Sequence, residues 1–153
     1  MTVFLILLLL YMSVTDIRTR RVPTEMILAG ACFFYLYIFI LWNREGYAAA
    51  REMFTGGAAG AAVMFVITFI AAVLTGMLIR GNALGGGDVR LFSLIGLYLG
   101  LTKGLYVIFL TCSFAGAFMF IRMLRKKNRS ALSGRRFPLV PFICLSCFTA
   151  MMF

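Results

Sequence analysis

The sequence contains no histidine and only five acidic residues, Asp16, Glu25, Glu45, Glu52 and Asp88, in a chain of 153. Without imidazole there is no Ser-His-Asp or Cys-His nucleophile pair, no histidine general base and no histidine-ligated metal. Charge of either sign is sparse: 13% of the residues are charged and 63% are hydrophobic, with a mean hydropathy of +1.00. Soluble domains are about 25% charged and about 45–50% apolar, so this balance is that of a membrane protein. The four cysteines, Cys32, Cys112, Cys144 and Cys147, all lie inside apolar runs. That placement argues against a disulfide framework or a zinc site, and Cys144 and Cys147 read as small packing residues on an apolar helix. A net charge of +10 would suit nucleic acid only if the chain had a soluble face to carry a basic groove, which it lacks; no nucleic-acid partner is expected.

What is present is a series of apolar runs. A bilayer core of about 30 Å takes about 20 apolar residues per helix, and the runs at 2–15, 26–42, 57–79, 89–102, 104–121 and 137–153 give about six spans. The first is read as a retained span, because Arg18, Arg20 and Arg21 follow it whereas a signal peptide carries its positive charges before the apolar stretch. Residues 91–121 are uncharged except for Lys103 and would reach about 47 Å as one helix, so a break is placed near Lys103. Trp42 ends the second run, where an interfacial aromatic belongs. Lysine and arginine then divide unevenly between alternate loops. Twelve fall in the first, third and fifth loops and three, Arg44, Arg51 and Lys103, in the second and fourth. The positive-inside rule puts the odd loops in the cytoplasm and both termini outside. The expected fold is an all-α polytopic membrane protein of about six transmembrane helices, a single domain over 1–153. The basic segment 122–136 is expected to meet anionic lipid headgroups. Gly56 with Gly60, and Gly96 with Gly100 and Gly104, have the four-residue spacing that lets helix backbones approach closely.

The two aspartates stand out against this background. Asp16 follows the first apolar run, at a helix C-terminus where the dipole disfavours negative charge. Pairing with Arg18, Arg20 or Arg21 would be a purely structural account of it. Asp88 ends the loop Gly81-Asn82-Ala83-Leu84-Gly85-Gly86-Gly87, where an ordinary helix N-cap would also explain it. Both fall on the cytoplasmic border. Two carboxyls meeting there have the makings of an aspartic protease, in which one ionised group deprotonates a water while the other, protonated, polarises the scissile carbonyl. Glycines beside the second carboxyl would let an extended peptide come close.

Gly85-Gly86-Gly87-Asp88 fits the GxGD motif of intramembrane aspartic proteases, and the stretch Gly85 to Gly100, GGGDVRLFSLIGLYLG, resembles the second active-site segment of type IV prepilin peptidases. Asp16-Ile17-Arg18-Thr19-Arg20-Arg21-Val22-Pro23 resembles that family's first motif, and Arg136-Phe137-Pro138-Leu139-Val140-Pro141 the proline-containing entry to its last helix. Thr24 and Arg90 stand where the family usually has asparagine and lysine. The resemblance implies a membrane endopeptidase of the aspartic type that removes the short basic leader from type IV pilin-like precursors at the cytoplasmic face of the cell membrane. Asp16 and Asp88 would be the catalytic dyad, with Gly85, Gly86, Gly87, Arg90, Pro23 and Pro138 lining the active-site loops. The paired CxxC motifs of the larger bifunctional members are not in this sequence, so no N-terminal cytoplasmic zinc domain is expected, and the chain is similar to the small stand-alone peptidases of tight-adherence pilus systems. Proteolysis by a carboxyl pair requires no cofactor; S-adenosylmethionine enters only if the N-methylation of larger relatives is retained.

Two readings from other classes compete. A small proton- or ion-coupled transporter would use Asp16 and Asp88 as a relay, but prefers carboxylates near mid-span. A non-enzymatic assembly subunit of a pilus or secretion system would account for the glycine spacings and the basic loop, and not for two isolated aspartates.

Overall fold

The structure is a computed structural model that describes residues 2–19, 23–78, 85–125 and 139–152. Among these residues there are helices and no strands. The first helix, α1 (Thr2–Thr19), buries Leu5, Leu9, Met12 and Asp16 along one face and turns Val3, Leu7, Leu10 and Val14 outward. That spacing is one stripe of a 3.6-residue period. Pro23, with φ −68° and ψ 120°, stands at the N-cap of α2 (Thr24–Glu45), an extended conformation suited to helix entry.

A single residue, Gly46, joins α2 to α3 (Tyr47–Leu78). Its φ of 92° lies in the left-handed region, where a Cβ is penalised. Its N–H closes the end of α2 on the Trp42 carbonyl at 3.1 Å. The next helix, α4 (Gly86–Arg125), carries a second residue of the same kind, Gly100 at φ 72° and ψ −173°. The long apolar run is therefore interrupted, as its length demands, but at Gly100 and not at the charge of Lys103, which is exposed. The reason lies in packing. A Cβ built on Gly60 of α3 would fall 2.5 Å from the Gly96 carbonyl oxygen and 2.9 Å from the Gly100 Cα, and one on Gly96 would fall 2.6 Å from the Gly60 oxygen. Here two backbones touch without side chains between them. Gly57 also faces α4, its Cβ position 2.6 Å from the Leu97 carbonyl oxygen, whereas Gly56 faces open space.

The last helix, α5 (Val140–Met152), packs against both α1 and α4, and α4 also packs against α2 and α3. The core at their junction holds Leu5, Leu9, Met12, Phe34, Met64, Leu91, Ile95, Val107, Val140, Ile143 and Cys147. Hydroxyl groups bond across helices: Tyr98 Oη donates to the Gly30 carbonyl at 2.7 Å and Ser93 Oγ to the Ala61 carbonyl at 3.2 Å.

Among the described residues three helical stretches, Thr24–Glu45, Tyr47–Met77 and Gly86–Phe118, are long and apolar enough to cross a membrane, and Val140–Met152 is a shorter apolar helix. The thirteen residues of α5 rise about 20 Å, less than a bilayer core of about 30 Å. Leu36, Phe39, Phe65, Phe69 and Phe109 point outward. An apolar exterior on this scale is the surface of an integral membrane protein.

Candidate active site

Asp16 lies in the last full turn of α1, just past the first apolar run, and is 6% exposed. It takes the position that would continue the buried stripe of Leu5, Leu9 and Met12, so the same periodicity that builds the core carries a carboxyl into it. Its Oδ2 accepts a hydrogen bond from the backbone N–H of Val140, the first residue of α5, at 3.4 Å. The C-terminal end of α1 is a poor place for a negative charge; the N-terminal end of α5 is a favourable one, and the fold brings the two ends together. Burial raises the Asp16 carboxyl above the ordinary carboxylate range, and the bond from Val140 opposes that rise.

Asp88 is the third residue of α4 and half-buried. Its own N–H bonds the Gly85 carbonyl at 3.0 Å, as does that of Val89 at 3.4 Å, which closes the first turn of α4. The charge of Asp16 acts on the Asp88 carboxyl. Two acids far apart in sequence, on different helices, thus stand within electrostatic reach, and α5 packs on the helices of both. Among the described residues no group of three or more His, Cys, Asp or Glu side chains could hold a metal ion.

The glycines act unequally. A Cβ on Gly85 would lie 3.3 Å from Asp88 Oδ2, so a side chain there would press on the carboxyl, while the Cβ position of Gly86 is open. Gly85 and Gly86 are exposed and Gly87 is half-exposed. Pro23 is half-exposed at the entry to α2 and its carbonyl accepts the Met26 N–H at 3.2 Å. Pro138 lies outside the described residues.

Arg90 is not brought to the carboxyl pair. At about 100° per residue, Arg90, Ser93, Leu94 and Leu97 share the side of α4 opposite Asp88. They line an open groove of about 480 Å³ with Thr24, Leu28 and Tyr35 of α2 and Phe65 of α3. The face Asp88 occupies continues instead through Leu91, Phe92 and Ile95, all buried. Val140 is the residue that sequence reading missed. The signal was Pro138 and Pro141, which mark a helix start, but nothing in the pattern says that this start lies against Asp16.

Searches of curated proteins and of solved structures return no match. The family model of the type IV leader peptidases matches residues 3–121. That match runs from α1 through most of α4 and takes in both aspartates, and this chain belongs to the type IV leader peptidase family of aspartic-type membrane proteases.

Proposed function

We propose that Asp16 and Asp88 are the catalytic dyad of an endopeptidase that removes the short basic leader of type IV prepilin-like precursors at the cytoplasmic border of the cell membrane. The observation that supports this reading is that the two aspartates of the chain, on different helices, stand within electrostatic reach of each other. Close carboxyls share one proton, since both cannot ionise. The ionised member takes a proton from water as the water oxygen bonds to the scissile carbonyl carbon; the protonated member gives its proton to the carbonyl oxygen. The resulting diol collapses as the carbon–nitrogen bond breaks. The leaving nitrogen takes up the proton held by the dyad's base, and the other carboxylate recovers its own from the diol hydroxyl. Open space over Gly86 and the absence of a side chain on Gly85 leave room for an extended peptide beside Asp88.

About six spans with both termini outside place the dyad in the cytoplasmic leaflet, where the twelve basic residues of the odd loops also lie. Those charges repel a cationic leader at long range, so recognition rests on local contacts and on the apolar segment after the leader. The rest of the basic segment beyond Arg125 falls outside the described residues; its role is to hold anionic headgroups.

The test is co-expression with a candidate pilin precursor and mass spectrometry of the product, which reads the cleavage site and any N-methylation together. Asp16→Asn and Asp88→Asn should each reduce cleavage by at least about a thousandfold while the protein remains in the membrane. Full processing by either variant would refute the dyad.

A further inference from the structure

The bond from Val140 to Asp16 does more than seat a helix. It joins residues at opposite ends of the chain and reaches the site from α5, which lies beyond the residues matched by the family model. The Val140 N–H is one of the four at a helix start that have no partner within the helix. Asp16 is buried, so the bond is shielded from competing water. A backbone N–H at a helix N-terminus stabilises an ionised carboxylate far more than a neutral acid, because donor and dipole both favour the negative charge.

We infer that Val140 is a positioning residue: its N–H, at the start of α5, favours the ionised form of Asp16 against the opposing effect of burial, so that of the two carboxyls Asp16 is the base that takes the proton of water and Asp88 keeps the shared proton. The assignment rests on the dyad proposed above. The titratable groups on the elements packed against α1 are Glu25, Cys32, Tyr35, Tyr37, Arg44 and Glu45 on α2 and Cys144 and Cys147 on α5, with Tyr11 and Arg18 on α1 itself; among the described residues the hydrogen bond to the Asp16 carboxyl comes from none of these but from the Val140 N–H. Asp88 of α4 is the group with which it interacts. The Val140 N–H is thus the one polar contact that distinguishes the ionised from the neutral form of Asp16 among the described residues.

Proline is well tolerated at the first position of a helix and lacks the N–H, so Val140→Pro removes the donor, together with part of the buried Val140 side chain; Val140→Ala controls for that loss of packing. Val140→Pro should move the acid limb of the kcat/KM profile to higher pH by up to about one unit. Val140→Ala keeps the N–H and should leave that limb in place whatever it costs in stability. An unshifted limb in Val140→Pro, or an equal shift in both variants, would overturn the inference. Wild-type protein offers a readout that needs neither cleavage nor a folded proline variant. In selectively ¹⁵N-valine-labelled protein in detergent, the Val140 amide proton should titrate with the acid and should stop doing so in Asp16→Asn. An amide that does not titrate, or titrates unchanged in Asp16→Asn, rejects the positioning role even if the dyad itself stands; a titrating amide in an enzyme whose Asp16→Asn variant still cleaves rejects the dyad alone.

Discussion

Asp16 is the residue at which stability and chemistry pull apart. Leu5, Leu9 and Met12 precede it on a buried face, and an apolar side chain in its place would complete the stripe. Burial holds its carboxyl above the ordinary range, which means that the folded state binds the proton more tightly than the unfolded one. Stability from this group is therefore fully present below the unfolded carboxyl's pKa and is lost as pH rises through the folded value. Asp16→Asn removes the ionisation and retains an oxygen for the Val140 N–H. Its thermal midpoint in detergent should exceed that of the parent at pH 7, and the difference should vanish near pH 3, the reverse of its effect on cleavage. An equal or lower midpoint at pH 7 would show that the buried charge is compensated by more than the one bond. The position was legible from sequence as an isolated acid at the end of an apolar run. Its burial was not, because periodicity gives the face a residue shares and not what covers that face.

At the scale of elements, the contact between α3 and α4 is made by backbone. Four-residue spacing pointed to Gly56 and Gly60 on one helix and to Gly96, Gly100 and Gly104 on the other; the structure uses Gly57, Gly60, Gly96 and Gly100, with Gly104 against Met64, and leaves Gly56 facing outward. Spacing alone could not separate Gly56 from Gly57, which are adjacent and lie about 100° apart around the helix. Gly60→Ala or Gly96→Ala drives a methyl group to within 2.5–2.6 Å of a carbonyl oxygen and should cost about 1–3 kcal/mol, seen as a lowered unfolding midpoint in detergent. Gly56→Ala should leave the midpoint unchanged or raise it slightly, since alanine is the better helix former. Equal losses at Gly56 and Gly60 would contradict the packing. The break in α4 follows the same logic. Length required an interruption and charge suggested Lys103, but the chain departs from the helix at Gly100, where a glycine both accepts a φ of 72° and lies against Gly60.

For the whole molecule the question is how the helices sit across the bilayer. α1 and α5 are short, three other helical stretches are long enough to cross, and α4 is divided at Gly100. Twelve basic residues against three on alternate loops put both termini on the outer face if about six segments cross. A reporter that is active only outside the cytoplasm, fused after Phe153, should be active, and one fused within the basic segment 122–136 should be silent. The opposite pattern would place the carboxyl pair on the outer border and remove the proposed substrate from its reach. The groove lined by Arg90 lies on the far side of α4 from Asp88, so occupancy of that groove does not by itself bring a peptide to the acids.

The sequence by itself determined the solvent and which chemistries are excluded. Its apolar fraction is that of a membrane protein, and the lack of histidine removes imidazole bases and histidine-ligated metals, because composition limits which reactions a chain can run. Tertiary structure alone decided which groups meet. The N-terminus of α5 stands against Asp16, Asp88 lies within electrostatic reach of Asp16, and Arg90 lines the groove on the other side of α4. The order of helices around a bundle depends on which faces interlock across long separations in sequence, and local periodicity carries no record of it.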